Sequence, residues 1–258
     1  MDNSFRRYKE FLNFIKEYKD KFLLGGDYKK GEMEVITDIS LFSKAEKIST
    51  ERILKIGMTE DVSEAEKWAR INIIPNGWGV WITEPVKFPP NGDLGTFSYF
   101  IHWGMLEQGL CGAVIIPKLS NGKFVLVKIY RVPTKTWSLE FPRGKSEPKT
   151  SVEKLIKNEI KEETGANIGE PKLIGYIRPD DGIMSEKAAN YLVEIKGENK
   201  NHRSEEAYEA IKGLAFLDKE DIEKAIIEGN FKVGGVKFEF LDAFTISAFS
   251  QAEKKGSI

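Results

Sequence analysis

Residues 144–165 read GKSEPKTSVEKLIKNEIKEETG, and their reading decides the fold. Glu159, Glu162 and Glu163 fall within five residues near the end of a helical pattern. Carboxylates three and four apart on a helix are neighbours and repel one another. At about 100° per residue, with Val152 at zero, Leu155, Ile156 and Ile160 point to roughly 300°, 40° and 80°. Glu159, Glu162 and Glu163 point to roughly 340°, 280° and 20°, whereas Lys154, Lys157 and Lys161 point to roughly 140° to 200°. The acidic residues therefore continue the apolar stripe one turn further, and the expectation is three inward-facing carboxylates. The competing reading of EIKEE is a solvated surface face.

Inward carboxylates carry a desolvation and repulsion cost that requires opposite charge. No arginine of this helix is in phase to supply it. A hard divalent cation would do so through oxygen ligands. The chain has two histidines, His102 and His202, which argues against a histidine-based zinc or iron site. Oxygen ligation favours Mg²⁺ or Mn²⁺, and Mg²⁺ commonly serves phosphate chemistry. Upstream, LEFPRGKSEP places Pro142 and Gly144 directly after the short strand WSLEF. Gly144 permits a tight turn or a close backbone approach, and Gly165 is placed to cap the helix. Together these describe a strand, loop and helix that carry a metal.

Outward from this unit, the chain separates into two textures. The SFRRYKEFLNFIKEYKDKFL run at residues 4–23 repeats Phe5, Tyr8, Leu12, Ile15 and Phe22 at helical spacing, which predicts a helix with a packing or dimer-forming face. Two short helical elements are expected at 49–56 and 63–71. From about residue 75, glycines and prolines punctuate β-branched and aromatic runs, with strands expected near 78–84, 95–103, 111–117, 123–130, 172–178, 190–196 and 212–217. GENKNHRSEE reads as a loop, and helices are expected near 218–228 and 239–252. Strands interleaved with helices imply an α/β (α+β) fold, a mixed sheet covered by helices. The organisation expected is a mainly helical extension over 1–74 and a main domain over 75–258. Trp78, Trp81, Trp103 and Trp137 are read as core residues, with stacking on an adenine as the alternative.

The net charge of the 258-residue chain is −1, so no global field recruits nucleic acid or membrane. Cys111 is the only cysteine, which rules out an intrachain disulfide and a cysteine metal cluster. The charged start MDNSFRRYKEF has no signal-peptide pattern, and no apolar run reaches the roughly 18 residues of a membrane span. The expectation is a cytoplasmic protein.

The stretch from Gly144 resembles the Nudix box of the Nudix hydrolases, Gly-x5-Glu-x7-Arg-Glu-U-x-Glu-Glu-x-Gly-U, where U is bulky and aliphatic. Gly144, Glu159, Ile160, Glu162, Glu163 and Gly165 match in register. Thr150 stands where the first Glu belongs, Asn158 where the Arg belongs, and Ala166 is small for the last U. In the family that Arg orients the catalytic glutamates, so the departure bears on turnover and leaves the fold intact. The flanks are similar to the ADP-ribose pyrophosphatase branch: CGAVIIPKLSNGKFVLVKIYRVPTKTWSLEFPRGK before the box, then YIRPDDGIMSEKAANYLVEI and IIEGNFKVGGVKFEFLDAFTISAF after it. The resemblance covers roughly residues 75–252.

The resemblance implies an α/β/α sandwich and Mg²⁺-dependent hydrolysis of an ADP-ribose-like or nucleoside diphosphate sugar pyrophosphate. Glu159, Glu162 and Glu163 would be metal ligands, aided by the backbone carbonyl of Arg143 or Gly144. Glu162 and Glu163 would serve catalysis, with Glu186 as general base; Asp180 and Asp181 lie near enough in sequence to replace it. Arg131, Arg143 and Glu140 would meet the substrate. A homodimer is implied. The alternatives are a dinucleotide polyphosphate or nucleoside triphosphate hydrolase, and a Nudix-fold sensor whose Thr150 and Asn158 have impaired turnover.

Overall fold

The computed structural model describes residues 3–19, 25–146, 150–196 and 211–258. The loop expected at GENKNHRSEE and the last turn of the first expected helix, residues 20–23, lie outside the described residues. The chain forms two compact units, one of Met1–Gly109 with Asp180–Ser185, the other of Leu110–Pro179 with Glu186–Ile258.

The first unit holds α1 (Asn3–Tyr18), β1 (Glu34–Val35), α2 (Phe42–Lys55), α3 (Val62–Ala69), β2 (Asn72–Pro75), β3 (Gly79–Phe88), β4 (Asp93–His102) and α4 (Trp103–Gln108). Tyr8 and Ile15 of the expected stripe are buried with Phe11, whereas Phe5 is 46% exposed, and the rings of Tyr8 and Phe11 meet Phe42 edge-on at 5.2 and 5.7 Å. β3 and β4 form a long hairpin, paired from Gly79↔His102 to Phe88↔Asp93. Its turn ends at Gly92, whose φ of 74° favours glycine. β1 and β2 both pair with β3, so residue 75, the expected boundary, ends a strand inside the first unit. The hairpin's hydrogen bonds run back to residues 34–35 and 72–75, which joins it to the helices before it. Trp78 and Trp81 depart from the core reading, being 65% and 41% exposed. Trp81 lies opposite Ile74 of the short strand β2 and beside Phe100.

The second unit supplies β5 (Gly112–Lys118), β6 (Phe124–Arg131), β7 (Thr136–Glu140), β8 (Arg143–Lys145), α5 (Val152–Thr164), β9 (Asn167–Ile168) and β10 (Lys172–Ile177). β11 (Met184–Ser185) pairs in parallel with β4 and belongs to the first unit. β12 (Ala188–Lys196), β13 (Ile211–Leu217), α6 (Lys219–Glu228), β14 (Asn230–Val233), β15 (Val236–Glu239) and α7 (Ala243–Lys254) complete the second unit.

Its sheet runs β10-β12-β5-β6-β7-β15-β14, with β13 beside β6, β8 beside β5 and β9 beside β12. β12 is parallel to β5 and β6 antiparallel, so the sheet is mixed. Alternate residues of a strand face opposite sides, and β5 feeds two cores. Val114 and Ile116 pack with Ile222 of α6 and Phe249 of α7. Ala113 and Ile115 pack with Leu155, Ile156 and Ile160 of α5. The helices thus cover both faces, the mixed α+β fold expected from the sequence. One expectation is corrected: the helix predicted from 239 begins at Ala243, and residues 230–239 form the β14–β15 hairpin, turning at Gly234 and Gly235 (φ 58° and 81°). Among the described residues no helix is long and apolar enough to cross a membrane.

Candidate active site

α5 starts where Ser151 accepts a hydrogen bond from the Lys154 amide, and it ends at Gly165 in the left-handed region. Its carboxylates differ in environment. Glu163 is buried at 7% exposure, Glu159 is half-buried, and Glu162 is exposed. Three inward carboxylates were expected, so Glu162 is a correction. The buried arc extends through Ile160 and Thr164 at roughly 80° and 120°, which centres it near 30° and leaves Glu162 at 280° beyond its edge. Glu159 and Glu163, one turn apart, share the inner side.

Glu159 packs against β8. A Cβ on Gly144 would lie 2.5 Å from Glu159 Cγ, 2.9 Å from Glu159 Oε1 and 2.8 Å from Leu155 Cδ1. Only glycine lets the backbone run this close to the helix. β8 is held by antiparallel pairing of Ala113 with Gly144 and of Gly112 with Lys145. The Gly144 carbonyl oxygen sits on the β5 side, 2.2 Å from where a Cβ on Gly112 would be. On the other edge of β5, Gly112 pairs with Ala188, and the Cys111 amide donates to the Lys187 carbonyl at 2.9 Å. Glu186 is thereby placed just before the start of β12, on the end of the sheet where β8 ends at Lys145. Burial raises its carboxyl above the ordinary value, and the Arg143 charge opposes the rise. Cys111 is inert here: burial, with the Glu186 charge, pushes its thiol up to about 12.

The three residues assigned to substrate form one network. Arg131 and Glu140 lie on one face of the β6–β7 hairpin, where Arg131 pairs with Thr136 and Glu140 with Val127. Arg131 donates to Glu140 from Nε at 3.0 Å and from Nη2 at 2.5 Å. Arg143 Nη2 donates to the same carboxylate at 2.7 Å, and its Nη1 lies 3.3 Å from Asp242 Oδ1. Its guanidinium also covers the Phe244 ring at 4.8 Å. Burial alone would raise the Glu140 carboxyl. The Arg131 hydrogen bonds and the charges of both arginines outweigh it and hold the group below its ordinary value. Asp242 in turn caps α7, accepting from the Thr245 amide and hydroxyl at 2.9 and 2.7 Å, and Thr245 Oγ1 accepts from the Phe141 amide at 3.0 Å.

Asp242 and Phe244 were missed from the sequence. Asp242-x-x-Thr245 reads as an ordinary helix cap, and nothing local ties it to Arg143. Asp180 and Asp181, weighed as substitutes for Glu186, lie in the first unit, where Asp180 accepts from the Gly182 amide at 2.8 Å.

Among the described residues no three His, Cys, Asp or Glu side chains converge as a ready metal cage. Two carboxylates one turn apart still fit Mg²⁺, which keeps several waters and commonly takes one or two carboxylates plus substrate phosphates.

No protein-family model matches the chain. No curated protein matches it. Its fold is similar to a solved structure described as "Crystal structure of ADP compounds hydrolase", with a TM-score of 0.53 and 16% identity over 71% of this chain and 90% of the other. The likeness at that identity is one of fold, and it supports the mixed α+β architecture read from the sequence.

Proposed function

We propose that the second unit hydrolyses the pyrophosphate bond of an ADP-ribose-like or nucleoside diphosphate sugar substrate, giving a nucleoside monophosphate and a sugar phosphate. The observation that carries this reading is the packing of Glu159 on Gly144 with Glu163 buried one turn further along α5. Glu159 and Glu163 would hold Mg²⁺ or Mn²⁺, with Glu162 at the solvent edge and the Arg143 carbonyl as a further oxygen donor, since the Gly144 carbonyl is turned towards β5. A divalent cation there supplies charge neutralisation for the phosphoryl oxygens.

The protein's own groups do the rest. Glu186 takes a proton from the attacking water as the water oxygen bonds to phosphorus. The bridging phosphorus–oxygen bond then breaks, and the leaving phosphate departs with the bond's electron pair. Half-burial raises the proton affinity of Glu186, which suits a base working near neutral pH. Glu140 fixes Arg131 and Arg143 in place, so both guanidinium groups present a set geometry to the substrate.

A panel of ADP-ribose, nucleoside diphosphate sugars, dinucleotide polyphosphates and nucleoside triphosphates, incubated with Mg²⁺ and resolved by mass, tests the proposal. Monophosphate plus sugar phosphate from the first two, lost in Glu163→Gln and Glu159→Gln, is the expected result. Products from the last two classes alone would assign the runner-up activity. The exposed Asn158 favours a second reading, since it stands where the family's Arg orients the glutamates. Tight ADP-ribose binding without products, converted to turnover by Asn158→Arg, would identify a sensor.

A further inference from the structure

The first unit carries a groove that the proposed chemistry does not use. It lies where α2 and α3 meet β4 and encloses about 240 Å³. Among the described residues, Arg52 is the one charged residue in its lining. The Arg52 guanidinium stacks on Phe88, 5.0 Å from the ring centroid, and has no carboxylate partner among the described residues. Around it, apolar groups face solvent: Trp68 is 45% exposed, Ile56 61% and Met58 60%. Trp68 makes no ring contact among the described residues, so an indole face is open.

The floor is polar but already satisfied. Ser49 Oγ accepts from the Thr96 amide at 2.7 Å, and Ser98 Oγ bonds Thr83 Oγ1 at 2.9 Å. The groups left unspent are one fork-shaped cation and one flat ring. A guanidinium pairs bidentately with a carboxylate, and an indole stacks on an aromatic plane. Size sets the limit, since a dry cavity of roughly 150 Å³ admits benzene. The groove therefore accommodates a ring system with a short acidic arm and falls short of a whole dinucleotide. We infer that it binds a small aromatic monoanion, with the ring on Trp68 and the carboxylate on Arg52.

Titration calorimetry on the full chain with 2-naphthoate, and with neutral 2-naphthalenemethanol alongside, tests the assignment. The acid should bind about tenfold more tightly than the alcohol, given the charged hydrogen bonds only it can make. Arg52→Gln should abolish that preference and leave alcohol binding unchanged. Trp68→Ala should weaken both probes. Both side chains are exposed on helices, and circular dichroism melting would show the fold retained. No measurable heat at millimolar probe would overturn the assignment, as would acid binding unchanged in both variants. Sedimentation showing that Trp68→Ala converts a dimer to a monomer would also overturn it, because a second copy would then fill the groove.

Discussion

Glu84 offers a sharp test of the first unit's packing. It is 7% exposed on β3 and shares a strand face with Val80, Ile82 and Val86. The Tyr99 hydroxyl donates to its Oε2 at 3.0 Å, and no cation pairs with it among the described residues. Burial pushes its carboxyl up to about 7 from 4.5, with the Tyr99 bond opposing. The unfolded chain releases this proton near 4.5, while the folded chain keeps it to about 7. Stability therefore falls as pH rises through that window and is flat on either side. At 1.36 kcal/mol per pH unit, the loss comes to roughly 3 kcal/mol, a ceiling that relaxation around the charge would lower. Glu84→Gln keeps the shape and an acceptor for Tyr99 but does not titrate. Four of the five tryptophans, Trp68, Trp78, Trp81 and Trp103, lie in this unit, so urea unfolding followed by fluorescence reports on it. The variant should match wild type at pH 4 and exceed it by up to about 3 kcal/mol at pH 8. A difference that stays constant from pH 4 to 8 would refute the reasoning.

Three further outcomes are expected. Glu140→Gln should cost about 3–5 kcal/mol at pH 7 in denaturant unfolding, because it takes the buried carboxylate away from both Arg131 and Arg143. Since Glu140 is held below its ordinary 4.5, wild type should lose this contribution on acidification and converge on the variant. Gly144→Ala should lose about 1–3 kcal/mol through the clash with Glu159 and Leu155, and should lower turnover further than a remote substitution of equal cost. Gln251→Ala should lose about 1–3 kcal/mol, because Gln251 Oε1 accepts from Asn190 Nδ2 at 3.1 Å and its Nε2 donates to the Tyr176 carbonyl at 2.8 Å. Asn190 is fully buried, so its Nδ2 group would lose the acceptor that Gln251 Oε1 provides.

What was legible in the sequence follows from range. α5 could be read because cap, stripe and terminal glycine all lie within 151–165, and each acts on its near neighbours. The β5 and β6 strands were legible because alternate residues fill two cores and are apolar almost throughout. The β14–β15 hairpin carried its signal in NFKV-GG-VKFE, two strand-like runs around a glycine pair. The tie between Arg143 and Asp242 joins positions 99 residues apart in sequence (242 − 143), with no local mark at either end. Helical phase predicted the burial of Glu163 but misplaced Glu162, since it was set from the early apolar residues and ignored the turn of the buried arc through Thr164.

That network changes what the arginines can contribute. Arg131 and Arg143 together bring two positive charges, and Glu140 with Asp242 bring two negative ones within 3.3 Å of them. The cluster is therefore close to neutral, with Glu140 kept ionised by its partners. A diphosphate entering beside it meets oriented donors but little net charge. Under the proposed function, the charge that binds and activates the pyrophosphate must come from elsewhere, and the acidic side of α5 can only add to the repulsion unless a cation sits there. Binding of ADP-ribose should accordingly depend on Mg²⁺ even in Glu186→Gln, where proton transfer is removed but the carboxylates of α5 remain. Calorimetry showing equal ADP-ribose affinity with Mg²⁺ and with EDTA would mean that the arginines suffice, and that the pairing with Glu140 opens on binding.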